Sequence, residues 1–93
     1  MIKDNKYFDG NVKSLGYATD HGNSTIGVME EGEYEFSTSS HETMTVIEGR
    51  LDVQYPDQED WKYYSNGESF QVEANSSFKV KAVGQTSYLC TYK

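Results

Sequence analysis

The sequence predicts an all-β domain with little or no helix. Three observations carry this. Apolar residues recur with a period of two, as they do on strands whose side chains alternate between two faces. No window of about twelve residues has the i, i+3, i+4, i+7 apolar spacing of an amphipathic helix. Turn signals such as Asp20-His21-Gly22-Asn23, Asn66-Gly67 and Gly84-Gln85 break the chain at short intervals. About eight or nine short strands spaced in this way imply a sandwich or a closed barrel. The expectation is one domain over residues 1–93.

Residues 1–6 are polar and read as a loosely ordered lead-in. Tyr7-Phe8 open the structured part, and Asp9-Gly10-Asn11 is a turn or bulge. Val12 to Ala18 is a strand, with Val12, Ser14 and Gly16 on one face and Lys13, Leu15 and Tyr17 on the other. Thr25 to Glu30 returns, and Glu31-Gly32 turns again. In the next strand Tyr34, Phe36 and Thr38 alternate with Glu33, Glu35 and Ser37. After a polar break at Ser39–Glu42, a run from Met44 turns at Glu48-Gly49-Arg50. That turn reads as a hairpin in which Gly49 supplies a positive φ, with Leu51 to Tyr55 coming back.

Pro56 ends that run, because a residue without an N–H is excluded from a central ladder. Trp61 to Tyr64 and Ser69 to Glu73 follow as strands, the second with Phe70 and Val72 on one face. Phe78, Val80 and Ala82 mark another, with Lys79 and Lys81 opposite. Tyr88 to Lys93 closes the chain, with Tyr88, Cys90 and Tyr92 together on one side.

Composition excludes several functions. A net charge of −7 with eight Lys and Arg speaks against binding a nucleic acid polymer, which needs a basic face to release counterions. Helix-dependent Rossmann and P-loop architectures are excluded, and neither glycine-rich phosphate motif occurs. The single Cys90 allows no disulfide within the chain and no Cys-rich metal site. No apolar stretch suggests a signal peptide or a membrane partner, so a cytoplasmic location is expected. Apolar residues make up only 35% of the chain, but eight residues are Tyr. So thin a core fits a homo-oligomer.

Two segments carry a resemblance. Glu42 and Gly49 are separated by six residues, the Glu-to-Gly spacing of a first cupin motif. A second segment runs from Gly67 through Phe70–Val72 and Glu73-Ala74-Asn75 to Phe78. The chain thus resembles a cupin, a double-stranded β-helix of jelly-roll form. A metal-binding cupin would place two His in the first segment and one in the second. Those places fall near Phe36 and Thr38 and on Phe78. Without the imidazoles, no metal and no other cofactor is expected.

The likeness extends over nearly the whole chain. Tyr7-Phe8, Val12-Lys13-Ser14, Gly27-Val28-Met29, Glu31-Gly32-Glu33-Tyr34, Phe36-Ser37-Thr38, Met44-Thr45-Val46, Trp61, Gly67 and Ser87-Tyr88-Leu89-Cys90 together resemble the small bacterial pyrimidine/purine nucleoside phosphorylases. This resemblance implies a metal-free cupin, a homodimer, and broad phosphorolysis. Purine and pyrimidine nucleosides would react with inorganic phosphate to give free base and ribose 1-phosphate.

Such chemistry needs donors for phosphate, a group to steady a ribosyl cation, and a surface for the base. Lys13, Arg50, Ser37, Thr38 and Thr45 are the candidates for phosphate, Arg by a bidentate fork and Lys as a point charge. Glu42 and Thr38 are the candidate catalytic residues, with Glu42 facing ribose or the cationic transition state. Tyr34, Phe36, Phe78 and Tyr88 would wall the base, since stacking tolerates different bases. His41, beside Glu42, is a possible general acid. Cys90 reads as a small buried apolar residue. The alternatives are a non-catalytic cupin binding a sugar or nucleoside, or a metal cupin recruiting His41 with Glu42.

Overall fold

The computed structural model describes residues 1–92. Ten strands follow in order: β1 (Lys3–Tyr7), β2 (Val12–Thr19), β3 (Gly22–Met29), β4 (Gly32–Ser37), β5 (Glu42–Glu48), β6 (Arg50–Gln54), β7 (Lys62–Ser65), β8 (Ser69–Val72), β9 (Ser77–Ala82) and β10 (Thr86–Tyr92). A 3-10 turn at Phe8–Gly10 is the one helical element among the described residues. The all-β expectation therefore holds. Two antiparallel sheets face each other. One has the order β1-β2-β3-β10-β5-β8, the other β4-β9-β6-β7. No helix of the described residues is long and apolar enough to cross a membrane.

The period of two builds the core. Phe78, Val80 and Ala82 on β9 and Leu51 and Val53 on β6 are buried from one sheet. Val12, Met29, Met44, Val46, Phe70, Val72, Tyr88 and Cys90 meet them from the other. Residues in between point out, as Lys79 and Lys81 do.

Two expectations need correction. Residues 1–6 are no loose lead-in, since Lys3 to Tyr7 pair with Gly16 to Val12 as an edge strand. Apolar alternation cannot signal a strand this polar; its ladder is made by the backbone. Nor is Gly49 the tip of a hairpin. It has φ 117°, as expected, but β5 and β6 belong to different sheets. Gly49 is a corner at which the chain crosses from one layer to the other. A Cβ there would sit 2.6 Å from Thr86 Oγ1 and 3.0 Å from Thr86 Cα, so only glycine lets the corner close on β10. After β3 the chain changes sheet at every connection except β6–β7. The sequence-based bounds also shift slightly, with β5 opening at Glu42 instead of Met44. Lys93, expected to end the last strand, lies outside the described residues.

Candidate active site

Residues of β1 to β5, β9 and β10 leave a cavity of about 70 Å³ between the sheets. Glu42, Phe36, Phe78, Tyr88, Cys90 and Tyr92 line it, with Ser14, Thr25, Tyr7 and Met44. A wider basin of about 510 Å³ lies over the inner side of β1–β3. The two hollows share Tyr7, Thr25 and Tyr92, which therefore stand at the junction.

Strand pairing explains the convergence. Glu42 opens β5 opposite Tyr92, and Thr25 lies opposite Cys90. The Cys90 thiol donates to Glu42 Oε1 at 3.4 Å. The hydroxyls of Thr25 and Tyr92 are 3.0 Å apart. Asn5 donates through Nδ2 to Ser14 Oγ at 3.4 Å, and Ser14 lines the cavity with Tyr88. The phenol end of Tyr88 lies close against Gly27, where a Cβ would come within 2.5 Å of Tyr88 Cζ and Oη. Phe36 and Phe78 stack at 5.7 Å, and Phe70 meets Phe78 edge-on at 6.1 Å.

Burial sets the charge state of this group. It pushes the Cys90 thiol up to about 12, with the neighbouring Glu42 charge adding to the rise. It pushes Tyr88 to about 12 and raises Tyr92 as well. These groups stay neutral donors at physiological pH. Glu42 is raised too, chiefly by desolvation, against a lowering contribution from the Cys90 hydrogen bond. The cavity thus holds one carboxylate among neutral hydroxyls, a thiol and aromatic rings.

The expected site residues divide sharply. Glu42, Phe36, Phe78 and Tyr88 come together in the cavity. Tyr34 is buried a layer away, its ring 6.3 Å from Phe36 and its hydroxyl donating to Glu30 O at 2.7 Å. Thr38 is buried, but its hydroxyl is occupied: it donates to Glu73 O at 2.6 Å and accepts from Ser76 N at 3.0 Å. Ser37 is exposed, because neighbours on a strand face opposite ways. Thr45 faces outward, 2.7 Å from Ser69 Oγ. Lys13 is exposed on the outer face opposite Val28. Arg50 donates through Nε to Asp52 at 2.9 Å and lies 4.6 Å over the Tyr63 ring. Neither expected cation lines the cavity or the basin.

Tyr7, Ser14, Thr25, Met44, Cys90 and Tyr92, which complete the cavity, are not among the expected site residues. Tyr92 shares the face of Tyr88 and Cys90, so strand alternation from Tyr88 would have found it. Lys3, which lines the basin, had no signal at all.

The donor set does not fit the metal of a metal-binding cupin. The ligand places hold Phe36 and Phe78, which offer no lone pair, and the occupied Thr38. His41 Nε2 instead lies 3.1 Å from Gln71 Oε1. Among the described residues, no group of three or more His, Cys, Asp or Glu could hold a metal ion.

The family model described as pyrimidine/purine nucleoside phosphorylase matches residues 2–92. The chain belongs to this family. It is 50% identical over 93 residues to a pyrimidine/purine nucleoside phosphorylase from Pseudomonas syringae pv. tomato, covering 100% of both. A crystal structure of a protein of unknown function from Vibrio parahaemolyticus is similar with a TM-score of 0.94 and 50% identity, over 100% of this chain and 99% of that one. The fold alone is shared with FeII HppE, with a TM-score of 0.78 at 14% identity, over 99% of this chain and 56% of that one. The cupin architecture expected from Glu42, Gly49 and Gly67 is the one the chain has.

Proposed function

We propose that the protein is a metal-independent nucleoside phosphorylase of broad base tolerance, and that the cavity and basin together are its active site. The single observation that carries this reading is a family match over residues 2–92 joined to a cavity in which one carboxylate, Glu42, sits among neutral donors. A phosphate oxygen attacks the anomeric carbon as the N-glycosidic bond breaks. The bonding pair leaves with the base, which takes up a proton, and the products are free base and ribose 1-phosphate. Positive charge grows on the sugar in the transition state. A preorganised carboxylate facing it lowers the barrier without reorganising water.

Ligand sites usually enclose ~300–1,000 Å³, so a cavity of about 70 Å³ admits only one end of a nucleoside. The rest occupies the basin, with the sugar at the Tyr7, Thr25 and Tyr92 junction. Among the described residues, no Asn, Gln, Arg or Lys lines the cavity to read one base's hydrogen-bond edge. Sites without such groups reject analogues weakly, which supports activity on purine and pyrimidine nucleosides alike.

Leu15, Ile26 and Val28 are exposed on the outer face of the six-stranded sheet, with Leu15 paired to Ile26 across the ladder. An apolar face on so thin a core supports pairing of two copies, which light scattering would measure. One unpaired Cys fits a reducing, cytoplasmic setting.

The test is incubation of chelator-treated protein with uridine or adenosine and inorganic phosphate. Base and ribose 1-phosphate should appear in equal amounts, only when phosphate is present. Binding of nucleoside without turnover would leave the non-catalytic cupin instead. Activity lost to chelation and restored by metal would refute metal independence.

A further inference from the structure

We infer that the basin over β1–β3 is the subsite for inorganic phosphate, with Lys3 on the edge strand as its cation. This rests on the phosphorolysis reading above and goes beyond it by placing the second substrate.

The chain carries 15 Asp and Glu against eight Lys and Arg. Among the described residues, no Asp or Glu lines the basin, and Lys3 does. Asn5, Asn23, Ser40, Thr25 and Tyr92 add neutral side chains that can donate. A surface whose described lining has a Lys ammonium, several neutral donors and no Asp or Glu is what an oxyanion requires.

Register puts Lys3 there. On β1, Lys3, Asn5 and Tyr7 lie opposite Gly16, Ser14 and Val12, so they share the inner face of the sheet. Asp4 and Lys6 lie opposite Leu15 and Lys13 and share the outer face. A Cβ at Gly16 would come 3.5 Å from Lys3 Cβ, so the base of the Lys3 side chain lies close over β2 at that glycine. Asn5, which lines the basin, donates to Ser14, which lines the cavity. The resulting axis has a cation at the wide end and Glu42 at the narrow end. That polarity suits an attacking phosphate outside and a cationic sugar between the two.

Lys3 is exposed at an edge, so its replacement leaves the core intact. Lys3→Met should raise the phosphate KM tenfold to a hundredfold with little change in the nucleoside KM. Lys3→Arg should restore most of it. Lys6→Met, of equal charge on the same strand but the other face, should match the wild type. Titration with inorganic phosphate alone reads the same subsite without turnover, so wild-type protein that binds phosphate through Lys3 yet cleaves no nucleoside would sink the reaction and spare the subsite. An unchanged phosphate KM and phosphate affinity in Lys3→Met, or an equal loss in Lys6→Met, would overturn the inference.

Discussion

Gly27→Ala tests whether the cavity wall is built as described. The added Cβ would lie 2.5 Å from Tyr88 Cζ and Oη and 2.7 Å from Cε1, whereas ordinary contacts begin near 3.4 Å. The Tyr88 ring must therefore retreat by about 1 Å. Tyr88 is only 5% exposed and lines the cavity with Ser14, so the ring is displaced within the site and not into solvent. Overpacking of this kind costs ~1–3 kcal/mol. For a chain of this size each kcal/mol moves Tm by roughly 4–8 °C. Thermal unfolding should show a fall of about 5–20 °C. Displacing a group in the site by ~1 Å can cost on the order of a hundredfold in rate, and phosphorolysis should fall towards that extent. The cost should shrink in a Tyr88→Leu background, because contacting residues are not additive. A Gly27→Ala protein with wild-type Tm and rate would refute the close packing of Tyr88 against Gly27. So would an identical Tm loss in both backgrounds.

Other outcomes follow from the same geometry. Burial raises the Glu42 carboxyl above its ordinary 4.5, so the folded state binds more protons than the unfolded one just above that value, and stability falls as pH rises through this window. Glu42→Gln should therefore melt higher than the wild type near pH 7, converge with it below about 4.5, and lose most of its kcat. In the wild type, kcat/KM should fall on the acid side with a midpoint above that of an ordinary carboxylate. Thr38→Val leaves the half-buried Ser76 N–H without its side-chain acceptor and should cost ~1–3 kcal/mol in denaturant unfolding, with kcat retained in the folded fraction. A kcat loss without a stability loss would return Thr38 to the catalytic group. Cys90, held up to about 12, should react with iodoacetamide at pH 8 on the order of a thousandfold more slowly than an unfolded thiol.

Alternation along single strands carried much of this protein. Phe78-Val80-Ala82 against Lys79-Lys81, and Tyr88-Cys90-Tyr92 on one side, could be read because a side chain's face depends only on its position in its own strand. The cupin spacing of Glu42 and Gly49 likewise held. The same rule sets Ser37 aside: Thr38 faces inward, so its neighbour cannot. β1 escaped notice because an edge strand of polar residues is held by backbone bonds that leave no pattern in the side chains.

Which strands become neighbours is a different matter, because pairing joins residues far apart in the chain. Thr25 and Tyr92 are 67 positions apart, and Glu42 and Cys90 are 48. No local signal predicts that such polar groups meet at one hollow, or that Lys3 lines it while Lys13 and Arg50 face elsewhere. Residue order along the chain thus settled the all-strand class, the inward and outward faces, and the loss of metal ligands. The crossing of the chain between two sheets at corners such as Gly49 settled the membership of the site, since only closure of the layers removes water from Glu42 and brings its partners within reach.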